Sequence, residues 1–307
     1  MTPSAVFTKA NLLQLKPRHT TFVGIDSDGC VFPTMEIKQK QCFHSLIVSH
    51  WHLEPLEKYV REAAEFINLY SKFRGQNRFP CLLMTFDFLR ERPEVTASGV
   101  ELPDTTALKK FIDSGVPMGN PTLEKIVAET KDPDLASVLK WSKDVNVLIE
   151  RTVKNVPPFR WVWESLEKIR VNSDAICVSQ TPTEALVREW QEHSLMKYVE
   201  VIAGQELGTK GEHLAMATHD RFTGDRILMI GDAPGDMKAA RSVKAHFFPV
   251  NPGHEDASWE CFYKEAYDRF LKGTYGGDYE AGLVRTFESL LPDTPPWKMA
   301  KAGSKGK

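Results

Sequence analysis

Thr21-Phe22-Val23-Gly24-Ile25-Asp26-Ser27-Asp28-Gly29-Cys30-Val31-Phe32 is the stretch on which the fold turns. An apolar run is followed at once by two carboxylates and a glycine. Phe22, Val23 and Ile25 predict a strand buried on both faces, with Gly24 allowing close packing. Such a strand cannot hold charges in its middle. Asp26 and Asp28 therefore fall just past its carboxyl end, where open α/β sheets place their ligands. Two acids one residue apart suit a hard cation and a phosphate. The plainer alternative is an Asx-turn with Gly29 at positive φ. A second stretch, Arg226-Ile227-Leu228-Met229-Ile230-Gly231-Asp232-Ala233-Pro234-Gly235-Asp236, is again an apolar strand ending in glycine and acids. Its presence shifts the weight from a turn towards a site.

From residue 156 onward the chain alternates between the two periods. Helices are expected at 159–170, 182–193, 210–219 and 235–243. Each precedes an apolar strand, at 175–178, 198–202, 227–230 and 245–250. That alternation predicts a Rossmann-like parallel sheet with helices on both faces. Two closing helices follow at 255–272 and 278–291. A short outer helix is expected over 5–16.

Between the two acid stretches the strand signal vanishes. Leu53, Leu56, Tyr59, Val60, Ala63, Phe66, Ile67 and Tyr70 recur at helical spacing over 53–73. Further helices are expected at 35–48, 79–91, 105–113 with Asp104 as cap, 121–130 with Asn120 as N-cap, and 133–152. The reading is α/β: a core formed by 1–32 and 156–297, with an all-helical cap inserted over 33–155. Phe32-Pro33-Thr34 and Val156-Pro157-Pro158 bound the insertion as hinges. Residues 298–307, rich in Lys and Gly, are expected to be a disordered tail.

The 307 residues carry a net charge of −2, which gives no drive towards nucleic acid or an anionic membrane. Five scattered cysteines without a C-x-x-C pair argue against a disulfide framework or zinc ribbon and suit a reducing compartment. No signal-peptide core or bilayer-length apolar run is present. A cytoplasmic monomer or homodimer is the expectation.

Two weaker strand-tip features complete the pattern. Ser179 ends the strand at 175–178, where a hydroxyl beside free N–H groups can hold a phosphoryl oxygen; Thr181 is suited to cap the helix that follows. Lys210 stands at a helix start, an unfavourable place for a cation, and is either solvated there, as is usual for lysine, or held by a nearby acid. The order Asp26/Asp28, Ser179, Lys210, Asp232/Asp236 resembles the four motifs of the haloacid dehalogenase-like (HAD) superfamily: D-x-D-G, a strand ending in Ser or Thr, a lysine, and G-D-x-x-x-D. The insertion resembles that family's C1-type cap.

The resemblance implies a Mg²⁺-dependent phosphatase acting on a small-molecule phosphate ester through an aspartyl-phosphate intermediate. Asp26 would be the nucleophile and Asp28 the general acid/base. Asp26, the backbone carbonyl of Asp28, Asp232 and Asp236 would serve the metal. Ser179 would hold the transferring oxygens, and Lys210 would offset the charge of Asp26 and phosphate. A phosphomutase, or a non-catalytic protein that kept the fold, are the alternatives. Substrate choice is expected to lie in the cap. There Lys72, Arg74 and Arg78 surround Gly75 and either bind an anionic substrate group or close a helix C-terminus. Lys38 and Lys40 are read as surface lysines. His44, His50 and His52 lie close together without completing a familiar metal spacing.

Overall fold

The computed structural model describes residues 7–298; positions 299–307 of the expected tail lie outside the described residues. Strand β1 (Phe22–Ile25) is buried along its whole length, as its unbroken apolar run requires. Beside it lie β2 (Asp174–Val178), β3 (Ile202–Ala203), β4 (Ile227–Gly231) and β5 (His246–Pro249). The sheet has the order β3-β2-β1-β4-β5 and every pairing is parallel. Parallel neighbours need a long crossover, and a helix precedes each added strand. These helices are Val162–Asn172, Thr183–Glu192, Lys210–Thr218 and Pro234–Ser242. The expected α/β fold class is therefore observed.

Glycine at position 24 has a packing reason. A Cβ there would lie 2.6 Å from Leu214 Cδ2 and 3.0 Å from Met229 Sδ. A side chain at 24 would have to displace the ends of Leu214 and Met229 that pack on β1 there. On the opposite face of the sheet the core gathers Val23, Ile25, Leu228, Ile230, Trp190 and Trp259.

The described residues divide into two compact units, 7–35 with 154–290, and 36–153 with 291–298. The first is the α/β unit. The second is helical, with Glu57–Leu69, Arg78–Arg90 and Pro133–Thr152 as its long helices. Its apolar cluster includes Leu53, Val60, Phe86, Leu123 and Trp141.

Several expectations need correction. The third strand is two residues long, because Met196–Tyr198 forms a 3-10 turn where a strand over 198–202 was expected. Asn120 opens its helix as the first helical residue, and Gly119 is the N-cap. A short helix, Pro93–Ser98, went unseen. Lys38 is 7% exposed and begins a π-helical turn, Lys38–Phe43, inside the expected helix 35–48, so it is no surface lysine.

Residues 291–297, expected with the core, belong to the helical unit. The Trp297 ring packs 5.7 Å from that of Phe66 and 6.0 Å from that of Phe88, beneath the Arg92 guanidinium at 4.0 Å. Lys72 pairs with Asp293 at 3.0 Å. Lys298, expected within the tail, pairs with Glu91. An exposed apolar face on the helices draws this segment in, and no local periodicity announces such a contact.

Candidate active site

The sheet register brings the predicted site together. Ile25 lies level with Cys177 of β2 and Ile230 of β4, and the Asp26 amide donates to the Ile230 carbonyl at 3.0 Å. Asp26, Ser179 and Asp232 thus leave the sheet side by side at its carboxyl edge. The chain runs outward from β1 in both directions, so Asp26 and Asp232 flank the switch point where open α/β sheets form their crevice.

Local contacts fix the loop after β1. The Ser27 amide donates to Asp26 Oδ1 at 2.8 Å, which aims the carboxylate. Ser27 Oγ, turned into the core, accepts from Trp190 Nε1 at 3.0 Å, and the Cys30 carbonyl accepts from Trp259 Nε1 at 2.8 Å. Both indoles are fully buried. Gly29 takes φ 79°, as the turn requires.

Asp26, Asp232 and Asp236 are buried, and one oxygen from each lies within 4.8 Å of the others. Gly231 permits this approach, since a Cβ there would lie 2.4 Å from Asp236 Cβ. Lys210 is the first residue of its helix, behind the Thr209–Glu212 capping box. Its ammonium sits 2.8 Å from Asp26 Oδ2 and 2.6 Å from Asp236 Oδ1. Of the two readings of Lys210, a solvated side chain or one held by a nearby acid, the structure shows the second.

The electrostatics follow from burial. Desolvation pushes Asp26 well above the usual carboxylate range against the pull of Lys210, and Asp236 and Asp232 push the same way. Asp236 is raised by desolvation, partly offset by Lys210. Burial opposes the charge on Lys210, but Asp236 and Asp26 outweigh it and hold the ammonium above its ordinary value. Three carboxylates against one ammonium leave two formal negative charges among these four side chains. A divalent cation answers that deficit. Three buried carboxylate oxygens within 4.8 Å of one another are the hard oxygen donors that Mg²⁺ takes. The residues present therefore fit Mg²⁺. The Cys30 thiol is raised by burial and by Asp26, so it is no thiolate nucleophile.

Asp28 is half-buried and its carboxylate accepts two hydroxyls. Thr34 Oγ1 donates to Oδ1, and Thr181 Oγ1 donates to Oδ2 at 2.7 Å. Sequence reasoning missed both threonines. Thr181 was expected to cap the next helix, but Pro182 is the N-cap. Ser179, 2% exposed, accepts from the Thr181 amide at 3.2 Å. The only sequence signal for Thr181 was its place two residues beyond Ser179 in the same strand-tip loop.

The basic candidates of the helical unit have contacts of their own. Lys72 is exposed and paired with Asp293. Arg74 is buried and donates to the Leu69 carbonyl at 2.9 Å, at the end of its helix. Arg78 reaches the Ser142 carbonyl at 3.0 Å and Asn146 Oδ1 at 2.8 Å, and burial lowers it to about 10. Lys40 pairs with Glu36 at 2.9 Å. Of the three around Gly75, Arg74 fits the helix C-terminus alternative, whereas Lys72 pairs with a distant acid and Arg78 opens the next helix. Among the described residues the histidines form no metal-ligating group: His44 is buried and lowered to about 3 by desolvation, and His50 pairs with Asp144 at 3.0 Å.

Several solved structures resemble the chain. They include haloacid dehalogenase-like hydrolases. A hydrolase of that family from Streptococcus pneumoniae is 16% identical, with 80% of this chain and 91% of that one covered and a TM-score of 0.41. One from Xanthomonas campestris is 11% identical, covering 88% and 99%, with a TM-score of 0.38. The Bacillus subtilis protein YfnB, bound to magnesium, is 13% identical, covering 75% and 86%, also with a TM-score of 0.38. With TM-scores below 0.5, these likenesses add no weight to the sheet order and site geometry. No family model and no curated protein matches the chain. Among the described residues no helix is long and apolar enough to cross a membrane.

Proposed function

We propose that the α/β unit is a haloacid dehalogenase-like, Mg²⁺-dependent phosphatase that hydrolyses a small phosphorylated metabolite. The observation that carries the reading is the Lys210 ammonium held between Asp26 and Asp236, beside the buried trio Asp26, Asp232 and Asp236. Phosphoryl transfer demands charge neutralisation and in-line positioning more than covalent chemistry, and the charged groups of this cluster support the first.

Asp26 is the nucleophile. Its carboxylate forms the Asp26–phosphoryl bond as the bond from phosphorus to the leaving oxygen breaks. Asp28, two residues on, gives a proton to the departing alkoxide. It then takes one from the water that attacks phosphorus, and the electron pair of the acyl phosphate returns to Asp26. Ser179 and neighbouring amides at the tip of β2 bind the transferring oxygens. Lys210 favours the ionised form of Asp26 against its burial and aligns the carboxylate. Asp26, Asp232, Asp236 and the Asp28 backbone carbonyl would hold Mg²⁺, which when bound screens the negative charge of nucleophile and phosphate from one another.

Phosphate release from a panel of phosphorylated metabolites, with Mg²⁺ or EDTA, tests the reading on wild type and Asp26→Asn. Turnover that needs Mg²⁺ and is lost in the variant supports it. Turnover that survives both EDTA and Asp26→Asn refutes it.

A further inference from the structure

Asp28 has to keep one orientation while it gives and then regains a proton. One restraint is local, from the Thr34 hydroxyl on Oδ1. A second comes from the loop after a different strand. Thr181 Oγ1, in the loop beyond β2, donates to Asp28 Oδ2 at 2.7 Å across a sequence separation of 153 residues. The Thr181 amide is itself tied to Ser179 Oγ at 3.2 Å. A single threonine thus links the hydroxyl assigned to the phosphoryl oxygens with the carboxyl assigned to the proton.

The local structure supports a dedicated contact. Thr181 stands where a helix cap is expected, yet that duty falls to Pro182, which has no side-chain donor or acceptor to offer. The Thr181 carbonyl accepts the Gln205 amide at 3.1 Å, which fastens the loop to the turn after β3. Gly204 sits tight against the same loop, since a Cβ on it would lie 2.7 Å from the Thr181 carbonyl oxygen. The hydroxyl is therefore presented by a backbone held on both sides. On the other face of Asp28, Thr34 Oγ1 donates to Oδ1.

We propose that Thr181 is a positioning residue for Asp28: its hydroxyl orients the carboxyl that protonates the leaving oxygen. The inference rests on the phosphatase reading above. The balance of the step is unchanged by it. The proton passes from Asp28 to the leaving oxygen, which departs with the phosphorus–oxygen electron pair. Thr181 keeps its own proton throughout and hydrogen-bonds the carboxylate left behind.

A positioning role differs from a structural one in its dependence on the leaving group. An alkyl phosphate needs a proton at its departing oxygen, whereas p-nitrophenyl phosphate departs as a stabilised phenolate. The parameter kcat/KM reports the steps up to that departure. The test is kcat/KM for glycerol 2-phosphate and for p-nitrophenyl phosphate on wild type, Thr181→Val and Thr181→Ser. Misplacing a general acid worth 10²–10⁴ should cost Thr181→Val roughly 30-fold on the alkyl ester and about threefold on the aryl ester. Thr181→Ser, which keeps the hydroxyl, should regain most of the alkyl activity. Equal losses on both esters in Thr181→Val, or a Thr181→Ser as impaired as Thr181→Val, would overturn the inference and leave the phosphatase reading standing. A wild type that hydrolyses neither ester nor any member of the metabolite panel overturns both.

Discussion

Lys210→Met removes the one cation placed between Asp26 and Asp236 while keeping a side chain of similar length. In the wild type the ammonium lies 2.8 Å from one carboxylate and 2.6 Å from the other, with its side chain 16% exposed and theirs 5% and 0%. Breaking a buried pair by deleting one partner costs about 3–5 kcal/mol, because the charge left behind is uncompensated. With a urea slope of about 2 kcal/mol/M, the midpoint for the α/β unit should fall by roughly 1.5–2.5 M at pH 7 in EDTA. The pH dependence follows from the direction of the shifts. Asp26 and Asp236 already titrate above their unfolded values because of desolvation. Without Lys210 both rise further. A carboxyl raised on folding favours the folded state below its unfolded value, and that advantage is lost as pH climbs through the folded value. The deficit of Lys210→Met should therefore shrink on going from pH 7 to pH 5 and grow towards pH 8. Adding Mg²⁺ at pH 7 should recover part of it. Urea unfolding followed by circular dichroism at the three pH values is the assay. A midpoint shift below about 0.5 M, or one that ignores pH, would refute the claim that Lys210 neutralises buried carboxylates.

Other consequences test separate parts of the account. Asp232→Asn should weaken Mg²⁺ binding by about tenfold or more, since even outer partners of a metal are worth that much; titration calorimetry reads it, and an unchanged affinity would remove Asp232 from the metal set. Trp297→Ala should destabilise the helical unit by about 2 kcal/mol through lost ring packing and cation–π contact, with hydrogen exchange rising in Glu57–Leu69 and Arg78–Arg90. Unchanged exchange there would mean that the segment after Leu291 contributes nothing to that unit.

Much of the candidate cluster was legible because several of its groups break a local rule. Acids at the end of an all-apolar strand, and a lysine at a helix start, need partners that the chain neighbourhood lacks, so Asp26, Asp232, Asp236 and Lys210 announce one another. Gly231 joins them because a side chain there would collide with Asp236. Thr181 broke no rule. A threonine before Pro182 is an ordinary cap, and only the sheet order, which sets β2 beside β1, shows that its hydroxyl meets Asp28. Trp190 and Trp259 likewise read as plain core residues, and their N–H bonds to Ser27 and Cys30 depend on tertiary packing. The third strand was overlong in the sequence reading because Tyr198, Val199 and Val201 have β-propensity, while the 3-10 turn Met196–Tyr198 takes up the first of them. The segment 291–297 was assigned to the wrong unit for a related reason. Its contacts with Phe66, Phe88 and Arg92 span some two hundred residues, and no pattern within it records them.

The central claim is that Asp26 takes up the phosphoryl group. The direct measurement is rapid acid quench of the enzyme turning over a substrate with Mg²⁺, followed by peptide mass spectrometry of the quenched protein. The account predicts a phosphorylated peptide containing Asp26, discharged by hydroxylamine and absent from Asp26→Asn. A phosphoryl group found on another residue, or turnover by Asp26→Asn at the wild-type rate, would contradict it.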